Sequence, residues 1–133
     1  MFEEHNGESV MLTPQSPEDL STPQRNYITN QLNQLNDAIY DLPLATGANL
    51  QDILDLTDAA RYYLVQEIME DCESYHGSCF LYKDRDSTDT RGQKVLPRWH
   101  FGPVWDFGNA YDRHQERFIY DGPTFSQIWI EQL

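Results

Sequence analysis

The sequence lacks a long hydrophobic run. Its 133 residues have a mean hydropathy of -0.68, and none of its apolar stretches nears the roughly 20 residues that a membrane-spanning helix needs. The opening MFEEHNGESV also has neither the basic segment nor the apolar centre of a secretory signal. We therefore expect no membrane span. The missing signal does not argue for the cytoplasm, because a leader is removed from the mature form of an exported protein.

Basic residues are scarce, with 9 Lys and Arg against 22 Asp and Glu and a net charge of -13. This charge disfavours proteins that grip nucleic acid or anionic membranes, so we expect no nucleic-acid partner. Seven of the basic residues lie between positions 83 and 117. A solvated hairpin of mixed charge explains that cluster, and the alternative is a place where a polyphosphate is tolerated.

Only two cysteines are present, Cys72 and Cys79, with ESYHGS between them. They can close a small disulfide loop in an oxidising compartment or remain two half-buried thiols, and the sequence does not choose. A structural zinc site is disfavoured because it needs four ligands and only His76 lies nearby.

The first helix is predicted to follow an acidic, flexible lead-in over residues 1–21. Thr22 is the expected N-cap with Pro23 in the first turn, and Leu42-Pro43 ends the helix. Apolar residues recur there at helical spacing: Tyr27, Ile28, Leu32, Leu35, Ala38 and Ile39.

The second helix is predicted to begin after Asp55 and to continue to about Met69. Asp55 and Asp58 place hydrogen-bond acceptors and negative charge at its first turn, where backbone N–H groups lack partners. The spacing predicts that one face carries the apolar residues Leu56, Ala59, Ala60, Tyr63, Leu64 and Ile68.

Two strands are predicted next, in SCFLYK and KVLPRWHF, joined by a long polar connection. Pro97 places the second strand at an edge or a bulge. Gly102-Pro103 then reverses the chain before Trp105-Asp106. The fold class is therefore α+β, with two helices followed by a β-hairpin. The ending FSQIWIEQL is compatible with the start of another helix.

Asp106 belongs to an Asp-Phe-Gly tripeptide, which in protein kinases holds magnesium, but three residues alone decide nothing. The weight lies in its neighbours: the acidic loop EDCESYHGS, the strand FLYKD and the turn GPVWD, in that order. Together they resemble the CotH kinase family, atypical kinases named after spore coat protein H. The resemblance covers about residues 52–121, within a partial domain over 22–133. It implies the catalytic, C-lobe-like part of an atypical kinase fold, incomplete in this chain.

The resemblance also implies an activity, which is transfer of the ATP γ-phosphate to a serine or threonine of a protein substrate. Mg²⁺ and ATP would be the cofactors of the full-length protein. Glu73 best matches the catalytic acid of the loop, and Asp71 is the rival if the register shifts by two. Asp106 would hold Mg²⁺, with Asn109 ligating or orienting. The further candidates are His76 and Ser78, which would orient the loop, and Lys83 and Arg85, which would meet nucleotide or substrate.

Two positions depart from the family pattern. Glu73 stands where aspartate is usual, which moves the carboxylate outward by about one methylene. Gly108 stands where a second acid commonly follows the metal aspartate. The first departure alters the position of the catalytic carboxylate, and the second weakens the contact to a second metal ion.

A nucleotide-gripping half is missing from this sequence. No lysine precedes Lys83, the only upstream basic residues are Arg25 and Arg61, and Gly7 and Gly47 stand alone. We therefore expect a fragment, inactive when isolated and able to self-associate through cut surfaces. The alternative is a non-catalytic extracytoplasmic interaction module on the same scaffold. The motif pattern is similar to CotH-type proteins of Bacteroides-like gut bacteria, which implies export to the periplasm or cell surface.

Overall fold

The structure is a computed structural model that describes most of the chain between residues 12 and 110. It describes residues 2–3, 9–10, 12–71, 74–75, 78–95, 97–110 and 129, with the backbone alone for residues 2–3, 9–10 and Asn109. The chain divides into two compact units, one comprising Met1–Leu50 with Gln132–Leu133 and the other Gln51–Glu131. The predicted helix start near the C-terminus lies outside the described residues, apart from Trp129.

The first unit contains a short strand pair and one long helix. Strands β1 (Phe2–Glu3) and β2 (Ser9–Val10) pair antiparallel, within the stretch that composition predicted to be irregular. Helix α1 spans Thr22–Ile39. Its apolar stripe is confirmed at the C-terminal end, where Leu35, Ala38 and Ile39 are buried.

The N-cap of α1 is Ser21, so the prediction of Thr22 is wrong by one residue. The backbone N–H of Ser21 donates to Oε1 of Gln24 at 3.0 Å, and its hydroxyl lies 2.7 Å from the same oxygen. A Ser followed three residues later by Gln is the capping-box pattern, which explains why the helix begins one position earlier.

In the second unit, α3 (Leu56–Ile68) follows the one-turn helix α2 (Leu50–Ile53). Asp55 is the N-cap of α3, as predicted. Its Oδ1 accepts hydrogen bonds from the backbone N–H groups of Thr57 and Asp58, each at 3.1 Å. The last helical residue is Ile68 and Met69 is the C-cap, in agreement with the predicted end at about Met69.

The buried face of α3 differs from the predicted one. Ala59, Tyr62 and Gln66 are buried, whereas most of the predicted apolar face is exposed to solvent. The exposed fractions are 44% for Leu56, 55% for Leu64 and 68% for Ile68. Polar contacts at the start of the helix set its rotation. The Asp55 N–H donates to the Trp99 carbonyl at 2.9 Å, and Asp58 Oδ2 lies 2.7 Å from His100 Nδ1.

The predicted hairpin is confirmed as the antiparallel pair β3 (Leu81–Lys83) and β6 (Trp99–Phe101), in which Tyr82 faces His100. The Gly102 N–H donates to the Phe80 carbonyl at 2.9 Å and extends this pairing by one step. The long connection contains a second antiparallel pair, β4 (Ser87–Thr88) with β5 (Lys94–Val95). Pro97 lies between β5 and β6, outside both ladders. The fold class is α+β.

The core of the second unit is a cluster of aromatic rings. Tyr62 from α3 packs 5.4 Å from Tyr75 and 5.5 Å from Phe101, measured between ring centroids. Phe101 also lies 5.8 Å from Tyr75 and 6.4 Å from Trp129. The cluster therefore joins the helix, the acidic loop and strand β6. Among the helices that the structure describes, none is long and apolar enough to span a bilayer.

Candidate functional site

Ser78 and Asp106 meet although 28 residues separate them. The Ser78 hydroxyl donates to Oδ2 of Asp106 at 3.2 Å, in an exposed position. The pairing of β3 with β6 explains the contact: Ser78 precedes β3 and Asp106 follows β6, and in an antiparallel pair these two ends lie side by side. The structure thus joins the acidic loop to the Trp-Asp turn.

The backbone at Asp106 is left-handed, with φ 59° and ψ 58°. This conformation is uncommon for a residue with a side chain, and such residues concentrate at functional sites. Asp106 also precedes a 3₁₀ turn over Phe107–Asn109. A Cβ atom at Gly108 would lie 3.3 Å from Asp106 Oδ1, so glycine leaves room beside the carboxylate. Asn109 has no described side chain, and its predicted role stays a prediction.

Trp105 is an exposed neighbour of this carboxylate. Its exposed fraction is 60%, and its ring meets Phe80 edge-on with centroids 6.4 Å apart. An ordinary turn between core aromatics would bury this ring. Exposure instead leaves an apolar surface next to Asp106 that a flat ligand could contact.

The acidic loop, residues 70–78, is described only in part. Glu73 and His76 lie outside the described residues, so their predicted roles stay predictions. Asp71 has an exposed fraction of only 1%. The carboxylate of Asp71 therefore lies inside the unit, whereas that of Asp106 faces solvent.

Lys83 is the last residue of β3 and pairs with Trp99 at the other end of the β3–β6 ladder, and Arg85 lies two residues beyond it. From Ser78 to Lys83 the chain advances five residues, or roughly 16 Å at the rise of a strand. The ammonium of Lys83 sits 5.8 Å from the centroid of the Trp99 ring, and its partial burial holds the pKa of Lys83 below the ordinary value. Arg85 lines a separate open cavity of about 330 Å³ with Arg98. The structure does not bring these two cations to the Ser78–Asp106 pair.

A second cluster escaped the sequence patterns. Asp55, Asp58 and His100 place one ligand atom each within 4.8 Å of one another. Internal contacts account for these atoms: Asp55 caps α3 and approaches Arg98 at 3.7 Å, while Asp58 pairs with His100 and Arg61. His100 is therefore a satisfied structural histidine. The pairing of Asp58 with His100 depends on the position of β6 beside the start of α3. Sequence analysis could have found it only by predicting that arrangement.

The CotH kinase protein family model matches residues 3–131. The chain belongs to this family. The CotH match extends well beyond residues 52–121, where the sequence motifs lie, and it includes every candidate site residue. Neither the curated proteins nor the solved structures gave a significant match.

Proposed function

We propose that this CotH-family chain carries the metal-holding part of a phosphotransferase that moves the γ-phosphate of ATP to a serine or threonine of a protein. In this proposal the helices and hairpin correspond to the C-lobe-like half of a kinase. The observation that carries it is the contact between Ser78 and Asp106. It joins the two motif segments that the family resemblance names, at an exposed position beside an unburied tryptophan.

The donor atoms suit a magnesium–nucleotide complex. Mg²⁺ prefers carboxylate and hydroxyl oxygens together with water and phosphate oxygens. Asp106 supplies an exposed carboxylate, and Ser78 supplies a hydroxyl 3.2 Å from it. When bound, the metal would neutralise charge on the phosphate oxygens, which is the main requirement of phosphoryl transfer.

The proposed base is Glu73, and the burial of Asp71 supports this choice. A general base must come within hydrogen-bond reach of the acceptor hydroxyl, and positioned proton transfer contributes typically about 10²–10⁴-fold in rate. Asp71 is buried in the unit, so in this structure it offers a substrate no such approach. The protein acceptor and the exported location belong to the same proposal.

Binding of magnesium–ATP, followed by calorimetry in a protein that joins this chain to a nucleotide-gripping half, tests the proposal. We expect Asp106→Ala to weaken binding at least tenfold and Ser78→Ala to weaken it less, because a neutral hydroxyl contributes less than a carboxylate. Asp84→Ala is the matched control. It removes another exposed carboxylate, near the far end of the ladder, and should leave the affinity unchanged.

Transfer of the γ-phosphate is then measured with radiolabelled ATP in the same joined protein. Glu73→Gln should abolish transfer while magnesium–ATP binding persists. The proposal is wrong if Asp106→Ala binds magnesium–ATP as tightly as Asp84→Ala. That outcome would leave the interaction-module alternative.

A further inference from the structure

The acidic loop is attached to helix α3 by a buried hydrogen bond. The hydroxyl of Tyr62 donates to the backbone carbonyl of Ser74 at 2.9 Å, across 12 residues. Both residues are buried, with exposed fractions of 3% for Tyr62 and 0% for Ser74. Water therefore does not reach this carbonyl, and Tyr62 is its described partner.

The same stretch is held at further points. The Asp71 N–H donates to the Gln66 carbonyl at 3.0 Å, and the Ser74 N–H donates to the Asp71 carbonyl at 3.2 Å. The ring of Tyr75, exposed by only 2%, meets the ring of Tyr62 edge-on at 5.4 Å. Buried contacts therefore hold the loop where it leaves α3. Tyr62 contributes a polar contact through its hydroxyl and an apolar contact through its ring.

The surroundings of Tyr62 keep its hydroxyl a donor. Burial raises the pKa of Tyr62 well above the ordinary value, so the phenol stays protonated across the physiological range. The carboxamide of Gln66 and the thiol of Cys79 lie near the same hydroxyl. A buried hydroxyl or carbonyl without a hydrogen-bond partner destabilises the folded state. The bond between the Tyr62 hydroxyl and the Ser74 carbonyl is therefore favoured.

We propose that Tyr62 is a positioning residue for the Ser78–Asp106 site. Ser78 follows Ser74 by four residues, so the place where the Ser74 carbonyl is tied limits where the Ser78 hydroxyl can lie. Asp71 belongs to this internal anchor, on the side of the loop away from solvent. The proposal rests on the proposed function for its catalytic meaning, but the anchor itself is measured without any activity.

The test is Tyr62→Phe, which removes one oxygen atom and keeps the ring contacts with Tyr75 and Phe101. Tyr82→Phe is the matched control, because it deletes the same hydroxyl from a tyrosine that is 46% exposed. Amide hydrogen exchange is followed at Ser74 and Tyr75. In Tyr62→Phe we expect about tenfold faster exchange there, as one unpaired buried carbonyl would produce, and no change in Tyr82→Phe.

A second readout separates positioning from general loss of stability. In the protein that joins this chain to a nucleotide-gripping half, magnesium–ATP affinity should fall several-fold in Tyr62→Phe at a temperature where circular dichroism shows the variant folded. Equal loop exchange in the two variants would overturn the proposal. The proposal would also be overturned if hydrogen exchange at Ser74 speeds up only as much as exchange at the slowly exchanging amides of α3. Equal acceleration at both places indicates global unfolding rather than loosening of the loop.

The two proposals fail separately. Asp106→Ala with unchanged magnesium–ATP binding overturns the proposed function, even when Tyr62→Phe loosens the loop. Asp106→Ala with weakened binding, together with a Tyr62→Phe variant that binds and exchanges like the wild type, overturns the positioning role alone.

Discussion

Replacing Phe101 by alanine should damage the second unit more than any change on its surface. Phe101 is exposed by only 5%, and its ring lies 5.5 Å from Tyr62, 5.8 Å from Tyr75 and 6.4 Å from Trp129, between centroids. It is the one described ring of the cluster that contacts all three others. Strand β6 also leads directly from Phe101 to the turn that bears Asp106.

The expected cost follows from that packing. Phe→Ala in a well-packed core typically lowers the free energy of unfolding by about 3–5 kcal/mol, because the protein loses the burial of the ring and also retains an unfilled cavity. A unit of the size of Gln51–Glu131 has a total stability of about 4–12 kcal/mol at the usual free energy per residue. The substitution should therefore remove a large part of the folding free energy of this unit. It should also loosen Ser78, since Tyr75 loses a ring contact three residues earlier.

Urea unfolding followed by tryptophan fluorescence measures this loss. Leu64→Ala is the control, a large-to-small change at a side chain that is 55% exposed, and it should alter the free energy of unfolding by about 0.5 kcal/mol or less. A Phe101→Ala variant that unfolds within about 1 kcal/mol of the Leu64→Ala variant would refute the central packing role of this ring.

Two further predictions concern titratable groups. The backbone N–H of Asp58 holds the pKa of the Asp55 carboxyl below its ordinary value. Ionised Asp55 therefore stabilises the fold at pH values above the ordinary carboxyl pKa. This contribution is lost as the pH falls through the lowered pKa. Asp55→Asn should therefore flatten the acid side of the curve of melting temperature against pH, whereas an acid side as steep as that of the wild type would contradict the cap. Burial raises the pKa of the Cys79 thiol to about 12, so very little reactive thiolate is present at pH 8. In a Cys72→Ser variant, alkylation of Cys79 by iodoacetamide at pH 8 should therefore be on the order of a thousandfold slower than that of a free cysteine. Alkylation at the rate of a free cysteine would show that the Cys79 thiol is not shielded from solvent in this way.

Local chemistry made part of this fold predictable. Asp55 before an apolar periodic segment identifies the start of α3, because orphan N–H groups at a helix start need acceptors nearby in sequence. The β3–β6 pair follows from two β-rich stretches joined by a polar connection. The approach of Ser78 to Asp106 then follows from pairing alone, since antiparallel partners bring the start of one strand to the end of the other.

Contacts between distant residues made the rest unpredictable. Hydrophobicity selects Leu56, Leu64 and Ile68 as the buried face of α3, but the helix is turned by bonds from its first turn to β6. The buried face instead uses Tyr62 and Gln66, and the Tyr62 hydroxyl is paired inside with the Ser74 carbonyl. No local pattern encodes that rotation.

Strand direction explains the placement of the basic residues. In sequence, Lys83 and Arg85 follow Ser78 closely, which suggests one phosphate site. A strand advances about 3.3 Å per residue, so five or seven residues carry these cations to the opposite end of the ladder. Proximity in sequence inside an extended segment is thus a poor guide to a shared site, whereas antiparallel pairing is a good one.

The donor set limits how the proposed site could work. Asp106 contributes one carboxylate and Ser78 a neutral hydroxyl, and glycine at position 108 leaves open the space where a Cβ atom would lie 3.3 Å from Asp106 Oδ1. One carboxylate holds bare Mg²⁺ weakly, because the ion gives up its water reluctantly and most of its ligands must come from elsewhere. In the proposed site, nucleotide phosphates would supply those ligands. Metal and nucleotide should therefore bind this site together, and the position of Ser78, which the acidic loop sets, becomes more important than in a site with two acids.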